Sequence, residues 1–466
     1  MHVDLQGKHV LVFGAGVSGI GADELLEAKG AVVTLYDGNT KTDESKLREK
    51  LPEGSRTRIV LGELSQELLD DTEIAVISPG VPVDTGDARR IMDAGIPLWG
   101  EVELAYACSR GEVLAITGTN GKTTTTTLLG EIMKYHTTCK TEPEIDQVFV
   151  VGNIGTPYTQ AALQTTNSSV AVAEISSFQL ETILTFHPRV SAITNITPDH
   201  LNRHHTMEEY IRVKERICEN QTGEDTCVLN YEDDVLRKFG QELHVPVLFF
   251  SSRRILPEGL SLNGDMIEYR KNGTCIPVVS RKELNLPGIH NVENVMTAVG
   301  MALAFGIDME EIRTVCRSFQ AVEHRIEYVA EKGGVVYYND SKGTNPDAAI
   351  RAVEAMDRPT VLLAGGYDKD SSYEEWIRSF GTRVKALVLV GATKEKIAKA
   401  ARECGFEAIH MTESFEEAFE TCTHLATPGD AVLLSPACAS WGMFPNYEVR
   451  GRVFKDLVNA LPGEGA

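Results

Sequence analysis

A chain of 466 residues is too long for one hydrophobic core, and its 42% apolar content is enough to fill several, so length and composition predict roughly two to four globular domains. With 45 Lys and Arg against 67 Asp and Glu the net charge is −22. A field of that sign repels nucleic acid and anionic membrane alike, so neither is expected as a partner, and any anionic ligand must be held by local donors. The nine cysteines show no CxxC and no paired spacing, which predicts reduced thiols in a cytoplasm. The opening MHVDLQGKHVLVFG lacks the pattern of a secretory signal, and no run of ~18 apolar residues predicts a membrane span.

The first predicted element is the strand KHVLVF, followed by a GxGxxG at Gly14, Gly16 and Gly19 and a helix expected to begin near Ile20. Read alone this announces a nicotinamide dehydrogenase. The glycine turn and helix N-terminus accept any diphosphate, however, including that of a UDP-sugar, so the pattern supports a Rossmann-like sheet far more than a redox cofactor. Asp37 ends the next strand, VVTLYD, where an acid would meet a ribose hydroxyl, and Ser78-Pro79-Gly80-Val81 ends IAVIS on the same rim. Around Gly95 to Glu112 the first series of strands gives way to a second.

That second series opens with the strand VLAIT, the turn GTNGKT and a helix containing the run Thr123 to Thr127, a weak helix former because every Cβ is branched. Strand, glycine loop and helix are the parts of a phosphate loop: Gly118, Thr119, Asn120 and Gly121 turn backbone N–H groups toward phosphate, Lys122 reaches the β and γ phosphates, and Thr123 offers a hydroxyl to Mg²⁺. The loop is shorter than the standard pattern, since Ile116 stands where its first glycine falls. Further strands end in polar residues: VFVVGNIG delivers Asn153, VAVAEIS delivers Glu174, and SAITNITPDH delivers Asn195, Asp199 and His200. In an open parallel sheet such ends share one rim, where ligands collect. A lone glutamate or histidine after a strand is commonly a cap; several beside a phosphate loop argue for a metal-nucleotide site. After a break near Ser318 to Glu327 a third series follows, in VVYYND, TVLLAGG, ALVLVG and AVLLSP. The expected fold is α/β in three domains: Rossmann-like over residues 1–97, a phosphate-loop ATPase over 98–320, and Rossmann-like again over 321–466.

In order along the chain, GTNGKTT, GNIG, EISSFQLE, NITPDHLNRH, GIHNVENVMTA, EHRIE, NDSKGTNP and LLSPACASWGMF resemble the Mur ligases, most closely their D-glutamate-adding branch. The likeness spans the first strand to the last helix. It implies a cytoplasmic, bacterial, monomeric enzyme that uses ATP and two Mg²⁺ ions to join D-glutamate to UDP-N-acetylmuramoyl-L-alanine through an acyl phosphate, in peptidoglycan precursor synthesis.

By resemblance, Lys122, Asn153, His200 and Lys214 serve catalysis. Thr123, Glu174, His200 and Lys214 hold metal, Lys214 as a carbamate, although an unaided reading makes it a solvated mid-helix lysine. ATP is expected to touch Gly118 to Thr124 (Thr124 included), Asn291, Asn294, Arg325 beside His324, and Asp340. Unaided, Asn291 and Asn294 read as helix caps and His324–Arg325 as a linker pair. The UDP-substrate is assigned to Gly14, Val17, Ser18, Asp37, Gly38, Ser78, Pro79, Gly80, Asn153 and Ser176, and D-glutamate to Lys342, Thr344, Lys369, Ser440 and Tyr447. Asn202 and Gly442 depart from the family pattern where acids are commoner. Rival readings are a sibling ligase for another amino acid, a folylpolyglutamate synthase, an NAD-dependent dehydrogenase that leaves GTNGKT idle, and a nucleotide switch without product.

Overall fold

The computed structural model describes residues 3–139, 144–153, 156–286, 288–320, 323–367 and 371–462. The chain divides into two compact units, one of Met1–Ser280 with Glu293–Cys316 and one of Arg281–Val292 with Arg317–Ala466. Both are α/β. No helix among the described residues is long and apolar enough to cross a membrane.

The first unit holds two sheets. One has five parallel strands in the order Arg58–Leu61, Val32–Asp37, His9–Phe13, Ile74–Ile77, Leu98–Gly100. Its Val-, Ile- and Leu-rich strands bury both faces, which parallel pairing with helical crossovers requires. The first helix, Val17–Ala28, starts three residues earlier than the sequence reading placed it, with Gly16 at its N-cap. The turn before it is tight enough that a Cβ on Gly19 would lie 1.8 Å from the carbonyl oxygen of Gly14. Only glycine fits there.

The second sheet has nine strands: Thr274–Ser280, Met266–Lys271, Gly259–Asn263, Val247–Ser251, Thr226–Asn230, Val190–Ile193, Glu112–Thr117, Ser169–Glu174, Gln147–Gly152. It is parallel from Gln147–Gly152 across to Gly259–Asn263 and ends in an antiparallel meander that the sequence reading did not single out. Helix Lys122–Cys139 contains the threonine run; Thr123 to Thr126 are buried, so tertiary packing overrides their low propensity.

Buried carboxylates help join the sheets of this unit. Glu103, 1% exposed in helix Glu101–Cys108, accepts hydrogen bonds from the backbone N–H groups of Leu184 (2.8 Å), Thr185 (2.8 Å) and Phe186 (3.0 Å). Arg203 grips Glu181 through Nε (3.1 Å) and Nη2 (2.5 Å) and donates to the carbonyl of Val81 at 3.1 Å. Together they hold the glycine-loop rim of the first sheet against the rim of the second.

The second unit is a six-stranded sheet in the order Glu327–Lys332, Val335–Asn339, Ala431–Leu434, Thr360–Ala364, Val384–Leu389, Ile409–Met411, parallel except for its first strand. Separate apolar clusters cover its two faces. Arg450 is fully buried; it donates to Ser341 Oγ (3.0 Å), the Ser341 carbonyl (2.7 Å) and the Cys438 carbonyl (3.2 Å), tying two strand-end loops together.

Candidate active site

The glycine loop is fastened by its neighbours on the rim. Asp37 Oδ2 accepts the Ala15 N–H at 3.0 Å and Oδ1 the Asn39 N–H at 2.9 Å, so the carboxylate expected at a ribose hydroxyl also braces its own loop. Ser78 Oγ donates to the Gly14 carbonyl at 3.1 Å. Among the described residues that line the cavity at this rim there is no lysine or arginine, and donors for a diphosphate there are backbone N–H groups of the loop and the first turn of Val17–Ala28.

The phosphate loop is built the same way. Gly118 (φ +139) and Gly121 (φ +86) lie in the left-handed range, and a Cβ on either would fall 2.0 Å from Thr194 Oγ1 or Asn294 Oδ1. Asn195 scaffolds the loop: its Oδ1 accepts the Asn120 N–H and its Nδ2 donates to the Asn120 carbonyl, each at 3.0 Å. Lys122 Nζ donates to the carbonyls of Gly118 (2.8 Å) and Thr119 (2.9 Å), and Lys214 Nζ reaches the same Gly118 carbonyl at 2.7 Å.

Lys214 overturns its default reading. It is 2% exposed, near the end of helix Met207–Glu215, with its ammonium 4.8 Å from the Tyr210 ring centre. Burial, and then the charge of Lys122, hold its amine well below the ordinary lysine range against the opposing pull of Asp199 and Glu174. Glu174, 1% exposed, accepts from Asn153 Nδ2 at 2.9 Å through Oε1, while its buried Oε2 meets no hydrogen-bond partner among the described residues. A buried carboxylate oxygen left over beside a phosphate loop suits a cation, and an uncharged buried amine suits conversion to an anion. His200, at φ +54, stands beside Asp199 (Nε2 to Oδ2 3.5 Å) and edge-on to Phe178.

One cavity of about 700 Å³ within this unit runs between the two loops. Of the residues expected from sequence, Gly14, Val17, Ser18, Asp37, Ser78, Pro79, Gly80, Thr119, Lys122, Asn153, Ser176, His200 and Lys214 line it. Gly118, Gly121, Thr123 and Glu174 are buried in or beside the loop that forms its wall, as are Asn120 and Thr124, and Gly38 is exposed just past the strand end. Asn294 abuts Gly121, and neither it nor Asn291 caps a helix: both lie inside Ile289–Phe305. The Ser176 hydroxyl is engaged in a capping box with Gln179. Sequence reasoning missed Ser177, Phe178, Gln179, Glu101 and Tyr210 on this lining. The first three sit in EISSFQLE directly after a rim strand, a signal that was there to be used.

In the second unit the expected residues collect at strand ends. Asp340 is 4% exposed, accepts from Ser435 Oγ at 2.8 Å, and is pushed up to about 7 by burial. Arg325, whose charge opposes that shift, has a buried Nε without a partner among the described residues. Lys342 lies 5.2 Å from the Tyr447 ring centre and donates its N–H to the His324 carbonyl at 3.1 Å. Thr344 is half-buried and Ser440 buried; Lys369 lies outside the described residues. His324 is no linker residue: it is 3% exposed at φ +67, and its Nδ1 meets Asn339 Nδ2 at 2.9 Å. Glu323, His324 and Glu327 cluster at metal-ligand spacing, but the Lys455 ammonium bridges the two carboxylates at 2.9 and 2.6 Å. Gly442 adopts φ +87, where the side chain of the commoner acid would be strained.

Three family models match the chain: Mur ligase MurD-like, N-terminal domain, over residues 8–100; Mur ligase middle domain, over 116–302; and Mur ligase, glutamate ligase domain, over 324–438. A protein of Lachnoclostridium phytofermentans named UDP-N-acetylmuramoylalanine--D-glutamate ligase is 54% identical over 98% of this chain and 99% of its own. One of the same name from Lachnospira eligens is 52% identical over 98% and 100%. Among solved structures, UDP-N-acetylmuramate-alanine ligase MurC of Thermotoga maritima shares the fold at TM-score 0.59 and 18% identity, covering 97% of this chain and 99% of that one. MurF of Acinetobacter baumannii does so at TM-score 0.60 and 16%, covering 97% and 93%. The chain belongs to the Mur ligase family.

Proposed function

We propose that this chain is an ATP-dependent ligase that joins D-glutamate to UDP-N-acetylmuramoyl-L-alanine, in the bacterial cytoplasm, acting as a monomer of three domains over residues 1–97, 98–320 and 321–466. The observation that carries this reading is the cavity that runs from a cation-free glycine rim to a wall bearing Lys122, His200 and Lys214. It suits a long anionic substrate whose nucleotide end is held by backbone N–H groups and whose acid end meets phosphate chemistry. The names of relatives that match the chain almost end to end support the choice of D-glutamate.

In the reaction the substrate carboxylate attacks the γ-phosphorus of ATP, forming an acyl phosphate and releasing ADP. The amine of D-glutamate then adds to the acyl carbon, and phosphate leaves. The loop N–H groups of Gly118 to Thr123 cradle the nucleotide phosphates, with Thr124 behind them in the helix's first turn. Lys122 exchanges its loop carbonyls for the γ-phosphate, and Asn153 orients the carboxylate. Thr123, Glu174, His200 and Lys214 would hold Mg²⁺, which when bound neutralises the charge shared by the two reacting anions. The unpartnered Oε2 of Glu174 fits that role, and the desolvated amine of Lys214 fits addition to CO₂, which yields a carbamate and a proton. Asn294, beside Gly121 in the first unit, serves adenine, and the second unit carries Asn291 for the same base, Arg325 as a guanidinium for nucleotide phosphate and Asp340 as an oxygen for its sugar. Lys342, Thr344, Lys369, Ser440 and Tyr447 supply the cations and hydroxyls that the two carboxylates of D-glutamate need.

The test is substrate omission. ADP release should require UDP-MurNAc-L-Ala, D-glutamate, ATP and Mg²⁺ together. Equal release with L-glutamate, or without the UDP-sugar, overturns the reading, and a mass increment of one CO₂ on Lys214, lost in acid, checks the carbamate.

A further inference from the structure

Ser177 lines the cavity, yet its hydroxyl is engaged by a residue that does not: His204 Nε2 lies 2.9 Å from Ser177 Oγ. The His204 side chain is 1% exposed, packed between the rings of Phe178 (5.6 Å) and Tyr210 (5.3 Å). Behind it, His204 Nδ1 is 3.6 Å from Glu181 Oε1, and that carboxylate is fixed by the two-point grip of Arg203. Serine, histidine and glutamate thus form a line that starts on the cavity wall and ends on a buried ion pair.

The proton positions follow from this geometry. A lone pair on Nδ1 would face a carboxylate oxygen and be repelled, so the hydrogen sits on Nδ1. Nε2 is then the acceptor and Ser177 the donor, which turns the hydroxyl hydrogen away from the cavity. The ring is 1% exposed between two aromatic rings, and the Glu181 charge is already matched by the two-point grip of Arg203, so desolvation keeps the imidazole neutral. With its hydrogen committed, Ser177 Oγ presents lone pairs to the cavity and can only accept. The neighbouring Ser176 hydroxyl is occupied within its own helix turn by Gln179. Ser177 opens the short helix Ser177–Leu180, which follows the strand Ser169–Glu174 that ends in Glu174.

We propose that Ser177 contacts the substrate by accepting an amide N–H from the segment that joins its nucleotide to its reacting carboxylate, and that His204 is the positioning residue that aims this hydroxyl. The inference rests on the ligase reading above, in which that segment carries an acetamido and an alanyl amide. It adds a determinant for an amide-bearing substrate that neither the diphosphate grip nor the phosphate loop provides.

A double-mutant cycle tests it, read by steady-state kinetics for all three substrates and by calorimetric binding of UDP-MurNAc-L-Ala alone. Ser177→Ala and His204→Phe should each weaken the UDP-substrate about tenfold, the scale of one hydrogen bond in a closed site. The KM values for ATP and D-glutamate should stay within about twofold, which also reports that the fold is intact. The double variant should be no weaker than either single, because both remove one contact. His204→Gln, whose amide oxygen can accept from Ser177, should recover most of the loss. Additive losses, equal losses in ATP affinity, or a Gln variant as weak as Phe would overturn the proposal. A wild type that never turns over with D-glutamate would count against the ligase reading instead, while the binding cycle would still decide this contact.

Discussion

Lys122 and Asp23 show how one side chain's surroundings set its work. Lys122 is tethered to carbonyls of its own loop and shares the Gly118 carbonyl with Lys214, so its ammonium is already aimed where phosphate charge would build. Lys122→Ala is expected to lower kcat/KM by at least about 10²–10³-fold, the usual cost of losing one preorganised charge donor, while calorimetry still finds UDP-substrate binding, since that grip comes from the other sheet. Asp23 is fully buried in the first helix; Thr57 Oγ1 donates to its Oδ1 at 2.6 Å and its Oδ2 has no partner among the described residues. Burial first, with Glu27 and Glu24 adding, raises its pKa to about 6 despite the Thr57 bond. A raised carboxyl binds its proton more tightly folded than unfolded, so its contribution is full below about pH 4 and is lost as pH rises through about 6. Urea unfolding should show wild type losing about 1–2 kcal/mol more than Asp23→Asn between pH 4 and pH 7, once solvent screening is allowed for. Parallel pH profiles for the two proteins would refute this.

At the scale of elements, two strand–turn–helix units do one job with opposite chemistry. Both expose backbone N–H groups at a helix start, but the first surrounds them with hydroxyls and carboxylates and the second with two lysines. The first therefore depends on backbone shape alone. Gly19→Ala would drive a methyl into the Gly14 carbonyl at 1.8 Å, an obstacle made of backbone that no rotamer relieves. It should raise the KM for the UDP-substrate at least about tenfold with little change for ATP, a split that steady-state kinetics reads directly. Equal loss for both substrates would mean that the turn matters only for folding.

For the whole molecule, a net charge of −22 must admit anionic substrates to sites whose few cations sit deep in the fold. The long-range field opposes approach, and the local cations act only at short range. Raising monovalent salt from about 10 to 150 mM shortens the screening length from about 30 to 8 Å, so association of the UDP-substrate should speed up by about two- to fourfold. Stopped-flow binding at increasing salt checks this; a steady fall in rate would show that local cations govern the encounter.

Reading the strands from sequence succeeded where a buried parallel strand is a short run of Val, Ile and Leu: His9–Phe13, Glu112–Thr117 and Ser169–Glu174 all form where VLVFG, VLAIT and VAVAEIS stood out. The meander from Gly259 to Ser280 escaped because its half-exposed, antiparallel strands alternate weakly. Glycine positions and the phosphate loop were legible because backbone sterics are local: the need for φ > 0 is set by immediate neighbours in the chain. Burial is not local. Lys214 in EEYIRVKERI has the same neighbours along the chain as an exposed helical lysine could have, and only its burial against the Gly118 carbonyl, 96 residues away, makes it a desolvated amine. His204, between Ser177 and Glu181, and Arg450, between two strand ends, are equally silent in the sequence. Ser177 and Glu181 stand 27 and 23 residues from His204, and Ser341 stands 109 from Arg450, and a hydrogen bond's energy depends on a distance in space that the order of residues does not contain.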